Sequence, residues 1–178
     1  AAGREWSADR CFDGGRPFQA KVRILPGAGS LDDEALYRSG RAPLDRTCAV
    51  QGSRGLYCVR LKFAEPEPLH FFERPMDLSI NGRRVLRDFD ICQAARGPRQ
   101  AHDRIFRYVV PDAEGKIRLR FRSGRDPLQK KEEALVQAIE CTPEVKSLVR
   151  IDAGSNRPFI DWNGFVWSAD AGVEETDR

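Results

Sequence analysis

Leu56-Tyr57-Cys58-Val59-Arg60-Leu61-Lys62-Phe63-Ala64 is the stretch that decides the fold. Tyr57, Val59, Leu61 and Phe63 are apolar and alternate with Arg60 and Lys62, so the period is two and the segment reads as a strand. One of its faces belongs to a core and the other is mostly wet. Downstream, Met76-Asp77-Leu78-Ser79-Ile80 meets Asn81-Gly82 and then Arg83 to Ile91. Asn-Gly between two alternating runs marks a tight hairpin, because both residues tolerate the positive φ of a type I′ turn.

Working outward, the same period recurs. Gln19 to Leu25 alternates and stops at Pro26-Gly27. Arg104 to Val110 and Lys116 to Phe121 flank Pro111-Asp112-Ala113-Glu114-Gly115, a second hairpin with a longer loop. Ala134 to Cys141 alternates less cleanly, as a strand covered on both faces would. Helix is scarce: 127–134 has room for one turn, and 92–102 for another. Many short strands with regular turn signals predict an all-β fold, an antiparallel β-sandwich with little helix.

Composition narrows the function classes. The 178 residues suit one domain with part of a second. Thirty basic and 27 acidic residues are interleaved, for a net charge of +3, a balance that does not argue for nucleic acid or an anionic membrane, so no nucleic-acid partner is expected. Arg118, Arg120 and Arg122 form a stripe best read as one solvated strand face. No run of about 18 apolar residues offers a membrane span, so no direct membrane insertion is expected. Five cysteines form no C-x-x-C pair and there are two histidines, so no metal site is expected. The odd cysteine count implies at least one free thiol or an intermolecular partner. Both redox compartments stay open on this count, an extracytoplasmic or secreted site being slightly favoured.

Catalytic signatures are thin. His102-Asp103 is a dipeptide rather than a triad, and no G-x-S-x-G motif is present. Glu65, Glu67 and Glu73 read as a charged loop rim before they read as a glycosidase carboxylate pair. No phosphate loop, dinucleotide fingerprint or calcium loop occurs. No catalytic residue and no cofactor is therefore expected.

An internal repeat stands out. Gly3-Arg4-Glu5-Trp6-Ser7-Ala8-Asp9 returns as Gly164-Phe165-Val166-Trp167-Ser168-Ala169-Asp170, with five of seven positions identical. Together with Val149-Arg150-Ile151-Asp152-Ala153-Gly154, Leu61-Lys62-Phe63-Ala64-Glu65, Asp77-Leu78-Ser79-Ile80-Asn81-Gly82, Val85 to Ile91, Ala101-His102-Asp103 and Ala138-Ile139-Glu140, the chain resembles the malectin domain family. That resemblance implies a jelly-roll-like, malectin-type β-sandwich and a non-catalytic module that recognises an oligosaccharide or other glycan. It also implies a site of loop aromatics and an aspartate, here Tyr37, Phe71, Phe72 and Asp126. Pyranose faces stack on aromatic rings while hydroxyls need a polar anchor.

The order of the pieces departs from the family. The chain starts inside the opening motif, and the strand that usually comes first stands at 149–154. The expected division is a malectin-like domain over 1–142 lacking its first strand, a linker over 143–148, and 149–178. That last piece either opens a second malectin-like repeat or supplies the strand that completes the first. The alternative function that follows is a structural or protein-interaction module, whose partner is another malectin-like domain or protein engaged by strand exchange.

Overall fold

In the computed structural model, residues 6–7, 11–12, 14–27, 34–42, 47–52, 55–124 and 133–144 are described in full, with backbone segments at 151–152, 159–160 and 166–169 and the single residue 157. Two compact units emerge, Ala1–Glu144 and Val145–Arg178. The first holds β1 (Arg16–Gln19), α1 (Glu34–Arg38), β2 (Ser39–Ala42), β3 (Thr47–Gln51), β4 (Tyr57–Phe63), β5 (Met76–Ile80), β6 (Arg83–Phe89), α2 (Ile91–Ala95), β7 (His102–Val109), β8 (Lys116–Ser123) and β9 (Ala138–Pro143). The second holds β10 (Ile151–Asp152), β11 (Phe159–Ile160) and β12 (Val166–Ala169).

Alternation does what the sequence predicts. Tyr57, Val59, Leu61 and Phe63 of β4 are buried, as are Met76, Leu78 and Ile80 of β5 and Ile117, Leu119 and Phe121 of β8. These belong to one apolar cluster between a four-stranded sheet, ordered β3-β8-β5-β6, and a three-stranded sheet, ordered β7-β4-β9. Pairing is antiparallel throughout both sheets. Each fully buried Leu, Ile or Phe is worth about 1.5–3 kcal/mol, so this seam holds the sandwich together. The disulfide Cys11–Cys48 ties the N-terminal segment to β3.

The turns follow local chemistry. Asn81 and Gly82 take φ of 48° and 83°, the left-handed pair that joins β5 to β6. α2 is capped by Asp90, whose carboxylate accepts from the Gln93 N–H at 2.8 Å, and ends on Arg96 in the left-handed region. Arg120 and Arg122 are exposed, as expected for a solvated face, and Arg118 is ion-paired with Asp112.

Several expectations need correction. Gln19 to Leu25 is not a strand: β1 ends at Gln19 and Leu25 makes one isolated bridge, to Gln100. Val22 and Ile24 instead pack with Tyr37, Ala64 and Ala101 in a second, smaller cluster, so the alternation is met by loop packing. The last strand of the first unit starts at Ala138, four residues late. Ala134, Leu135 and Val136 before it are buried, while Ala138 to Cys141 are only half-buried on an edge rather than covered on both faces. Of 127–134, residues 127–132 lie outside the described set and 133–134 are not helical.

Candidate functional site

The loop from β4 to β5 is built on a buried ion pair. Glu65 lies two residues beyond the end of β4 and its side chain is 1% exposed, against 8% for that of Arg74. Arg74 Nε donates to Glu65 Oε2 at 2.6 Å, and a second guanidinium nitrogen reaches Oε1 at 3.5 Å. The remaining carboxylate capacity accepts the Glu67 N–H at 3.0 Å. Burial pushes the Glu65 carboxyl up from the usual carboxylate range, against the pull of Arg74. The backbone joins in: the Arg99 N–H donates to the Glu65 carbonyl at 2.7 Å.

From this frame the loop projects two rings. Phe71 and Phe72 are 52% and 56% exposed. Phe72 sits at φ 68°, a costly conformation for a bulky side chain. His70 N–H donates to the Glu73 carboxylate at 2.8 Å and tightens the same turn. Cys92 Sγ contacts the Leu69 carbonyl at 3.5 Å, and burial pushes its thiol up to about 12, so it packs rather than reacts.

Asp126 lies outside the described residues, but both flanks of its segment meet this loop. The Gly124 N–H donates to the Pro75 carbonyl at 2.6 Å. A Cβ at Gly124 would stand 2.7 Å from that carbonyl oxygen, so only glycine permits the approach. On the far flank, Arg74 donates to the Glu133 carbonyl at 2.7 Å.

Tyr37 is placed elsewhere and corrects the expectation of a sugar platform. It is 1% exposed. Its hydroxyl donates to Asp103 Oδ1 at 2.5 Å and accepts from Lys62 Nζ at 3.1 Å. Lys62, on the face of β4 that alternation marks as wet, is fully buried, with its ammonium 4.9 Å from the Tyr37 ring centroid and 3.3 Å from Asp103. Tyr37 thus seals a buried charge, and a ring so enclosed has no face left for a pyranose. Nothing in the strand pattern announces this, because the cover over Lys62 comes from α1.

The same cluster disposes of His102-Asp103 as a catalytic pair. Adjacent strand residues point to opposite faces. Asp103 is engaged with Tyr37 and Lys62, while His102 packs beside the Phe89 ring at 6.0 Å with neither ring nitrogen hydrogen-bonded. Burial, helped by Arg104, pushes the His102 imidazole below its ordinary value. Among the described residues no group of His, Cys, Asp and Glu has metal-binding geometry.

A second feature escaped sequence reading: a groove of about 920 Å³ along the outer edge of β9. Its lining includes Trp6, Ser7, Phe12, Phe18, Ile139 and Cys141. β2 closes one end, where Arg41 and Val136 exchange backbone hydrogen bonds at 3.0 and 3.3 Å. Gly40 makes this possible, since a Cβ there would stand 2.6 Å from the Val136 carbonyl oxygen.

The family model for the malectin domain matches residues 2–139. None of the curated proteins matches the chain in sequence. Among solved structures, it is similar to a chain in that of the plant peptide RALF23 in complex with FER and LLG2 (TM-score 0.65, 18% identity, 81% of this chain and 44% of that one). The ANX1 ectodomain from Arabidopsis thaliana is similar too (TM-score 0.61, 16% identity, 74% and 40%). So is Bacteroides uniformis beta-glucuronidase (TM-score 0.61, 19% identity, 80% and 15%). The chain thus spans less than half the length of each, and at these identities the likeness is one of fold. With the family model covering most of the chain and the sandwich in place, the chain belongs to the malectin domain family.

Proposed function

We propose that this malectin domain is a non-catalytic module that binds a glycan at the β4–β5 loop. Phe71 and Phe72 are its stacking surface, and Asp126, in the segment after Gly124, is its hydroxyl anchor. The observation that carries this reading is the exposure of two adjacent phenylalanines, 52% and 56%, on a loop clamped by Glu65 and Arg74. Large apolar side chains standing in water on a rigid base are what a pyranose face needs. The strained φ of Phe72 supports the same reading, since such strain is retained where function selects it.

An extracytoplasmic setting fits the Cys11–Cys48 disulfide, which an oxidising compartment preserves. No helix among the described residues is long and apolar enough to cross a membrane. The test is a glycan array probed with the 178-residue chain and with Phe71→Ala and Phe72→Ala. The expected result is selective glycan binding that either substitution abolishes while the protein stays folded. A folded wild-type chain that binds no glycan would overturn the reading.

A protein-interaction role is a second reading, favoured by β9, whose outer side pairs with no strand among the described residues. One structural neighbour was solved as the plant peptide RALF23 in complex with FER and LLG2, which supports protein partners for this fold.

A further inference from the structure

β8 runs inside its sheet, with β3 on one side and β5 on the other. Ile117, Leu119 and Phe121 turn into the core, so Lys116, Arg118, Arg120 and Arg122 stand together on the outer face. Successive members of this row are about 7 Å apart, the length of two residues of an antiparallel strand. That is inside the screening length of about 8 Å at physiological salt, so the row repels itself.

The neighbouring strands relieve little of this. β3 sets Gln51 beside Lys116, Ala49 beside Arg118 and Thr47 beside Arg120, none of them charged. β5 sets Ser79 beside Arg120 and Asp77 beside Arg122. Asp77 is already engaged: its carboxylate meets Arg84 at 3.3 Å and accepts the Asp88 N–H at 2.9 Å. Arg118 has Asp112 at 2.6 Å and Glu114 at 3.4 Å. Lys116, Arg120 and Arg122 have no ion-pair partner among the described residues.

The usual reasons for a cationic strand do not cover this one. Edge strands carry such charges to repel further strands, but β8 is paired on both sides. Solvation needs charge of either sign and no particular cation, yet three of the four are arginine. The planar guanidinium holds a carboxylate by two parallel hydrogen bonds, which an ammonium does not. Thr47 and Ser79, on either side of Arg120, are small, and Arg120 and Arg122 are both exposed, so their forks are open to a ligand lying along the strand.

The spacing selects the ligand. An extended peptide with an acidic residue at every second position presents its carboxylates on one side, at the same interval of about 7 Å. We infer that the outer face of β8 docks an extended acidic segment of a partner protein, whose alternate Asp or Glu side chains sit on Lys116, Arg120 and Arg122. The segment lies across the face of the sheet and adds no strand to an edge. This docking does not depend on the glycan reading, which uses the β4–β5 loop.

Fluorescence anisotropy of the 178-residue chain with two labelled peptides tests this. One alternates Glu with Thr; the other has the same composition with its glutamates in one block, so the charge is equal and only the spacing differs. The alternating peptide is expected to bind more tightly at about 0.15 M salt. Arg120→Gln and Arg122→Gln, both at exposed positions, are each expected to weaken it up to about fivefold, the upper size of an exposed ion pair. Arg23→Gln, exposed and outside the sheet, is expected to leave it unchanged. A folded chain that binds neither peptide, or both equally, would overturn the inference. So would Arg120→Gln and Arg122→Gln chains that bind like wild type, or an equal loss in Arg23→Gln. Dextran sulfate bound through Arg120 by a chain that ignores the alternating peptide would overturn it too, in favour of an anionic polysaccharide.

Discussion

Two regions of the first unit carry aromatic side chains, and they handle them in opposite ways. In the β4–β5 loop Phe71 and Phe72 stand in water, while the charges of Glu65 and Arg74 in the same loop are buried. Along β9 the rings of Trp6, Phe12 and Phe18 line a recess, and what faces the opening is a strand edge. A ring held outward on a fixed base offers a flat apolar face, which suits a sugar ring. A recess beside a strand edge that is unpaired on its outer side among the described residues offers main-chain donors and acceptors, which suits an extended peptide. The contrast teaches that aromatic content alone does not locate a glycan site. What decides is whether the rings stand in water or line a recess.

The largest break in this comparison should come from the base of the loop. Arg74→Met strands the buried Glu65 carboxylate, and losing one partner of a buried pair costs about 3–5 kcal/mol. Urea denaturation should show that loss, and glycan binding should fall with it. Next comes Tyr37→Phe, which deletes the hydroxyl between Lys62 and Asp103 and should cost about 1–3 kcal/mol. Glycan binding should survive that change. If binding were lost at full stability, Tyr37 would return to the site as a ligand contact.

A smaller effect, opposite in sign, sharpens the picture. Phe72→Gly relieves the positive φ and should raise stability by about 1 kcal/mol while weakening glycan binding. A variant gaining stability and losing function in one step is the signature of strain kept for a purpose.

The smallest effect concerns pH. The folded His102 imidazole lies below its ordinary 6.5, so the unfolded chain takes up its proton first as pH falls. Its contribution is therefore present above pH 6.5 and is lost as pH falls through the folded value. Glu65 is shifted up and has the opposite sign: its contribution is present below its ordinary 4.5 and is lost as pH rises. Stability against pH for wild type and His102→Phe, which leaves Glu65 unchanged, should diverge on the acidic side of 6.5, with the variant the flatter.

Much of the sandwich was legible because alternation is a local signal with a global meaning. Tyr57 to Phe63, Met76 to Ile80 and the Asn81-Gly82 turn could be read directly, since inward residues and turn conformers are fixed by neighbours in sequence. Lys62 and Tyr37 could not. Their burial depends on a short helix folding over the far face of β4, a contact 25 residues apart in the chain. Gln19 to Leu25 alternates for the same reason a strand does, to bury one side, yet past Gln19 it packs Val22 and Ile24 against Tyr37 and Ala101 with only an isolated bridge at Leu25. Of the site, the two phenylalanines were legible as aromatics after the β4 segment. The Glu65–Arg74 clamp in the same loop was not, because nothing in a sequence tells a rim carboxylate from a buried one.

The most direct test is an amide chemical-shift map of the 178-residue chain titrated with an oligosaccharide it binds. The account predicts perturbations concentrated in residues 65–75 and at Gly124, with 138–142 unchanged. Perturbations centred on 138–142 and Trp6, leaving Phe71 and Phe72 untouched, would contradict it.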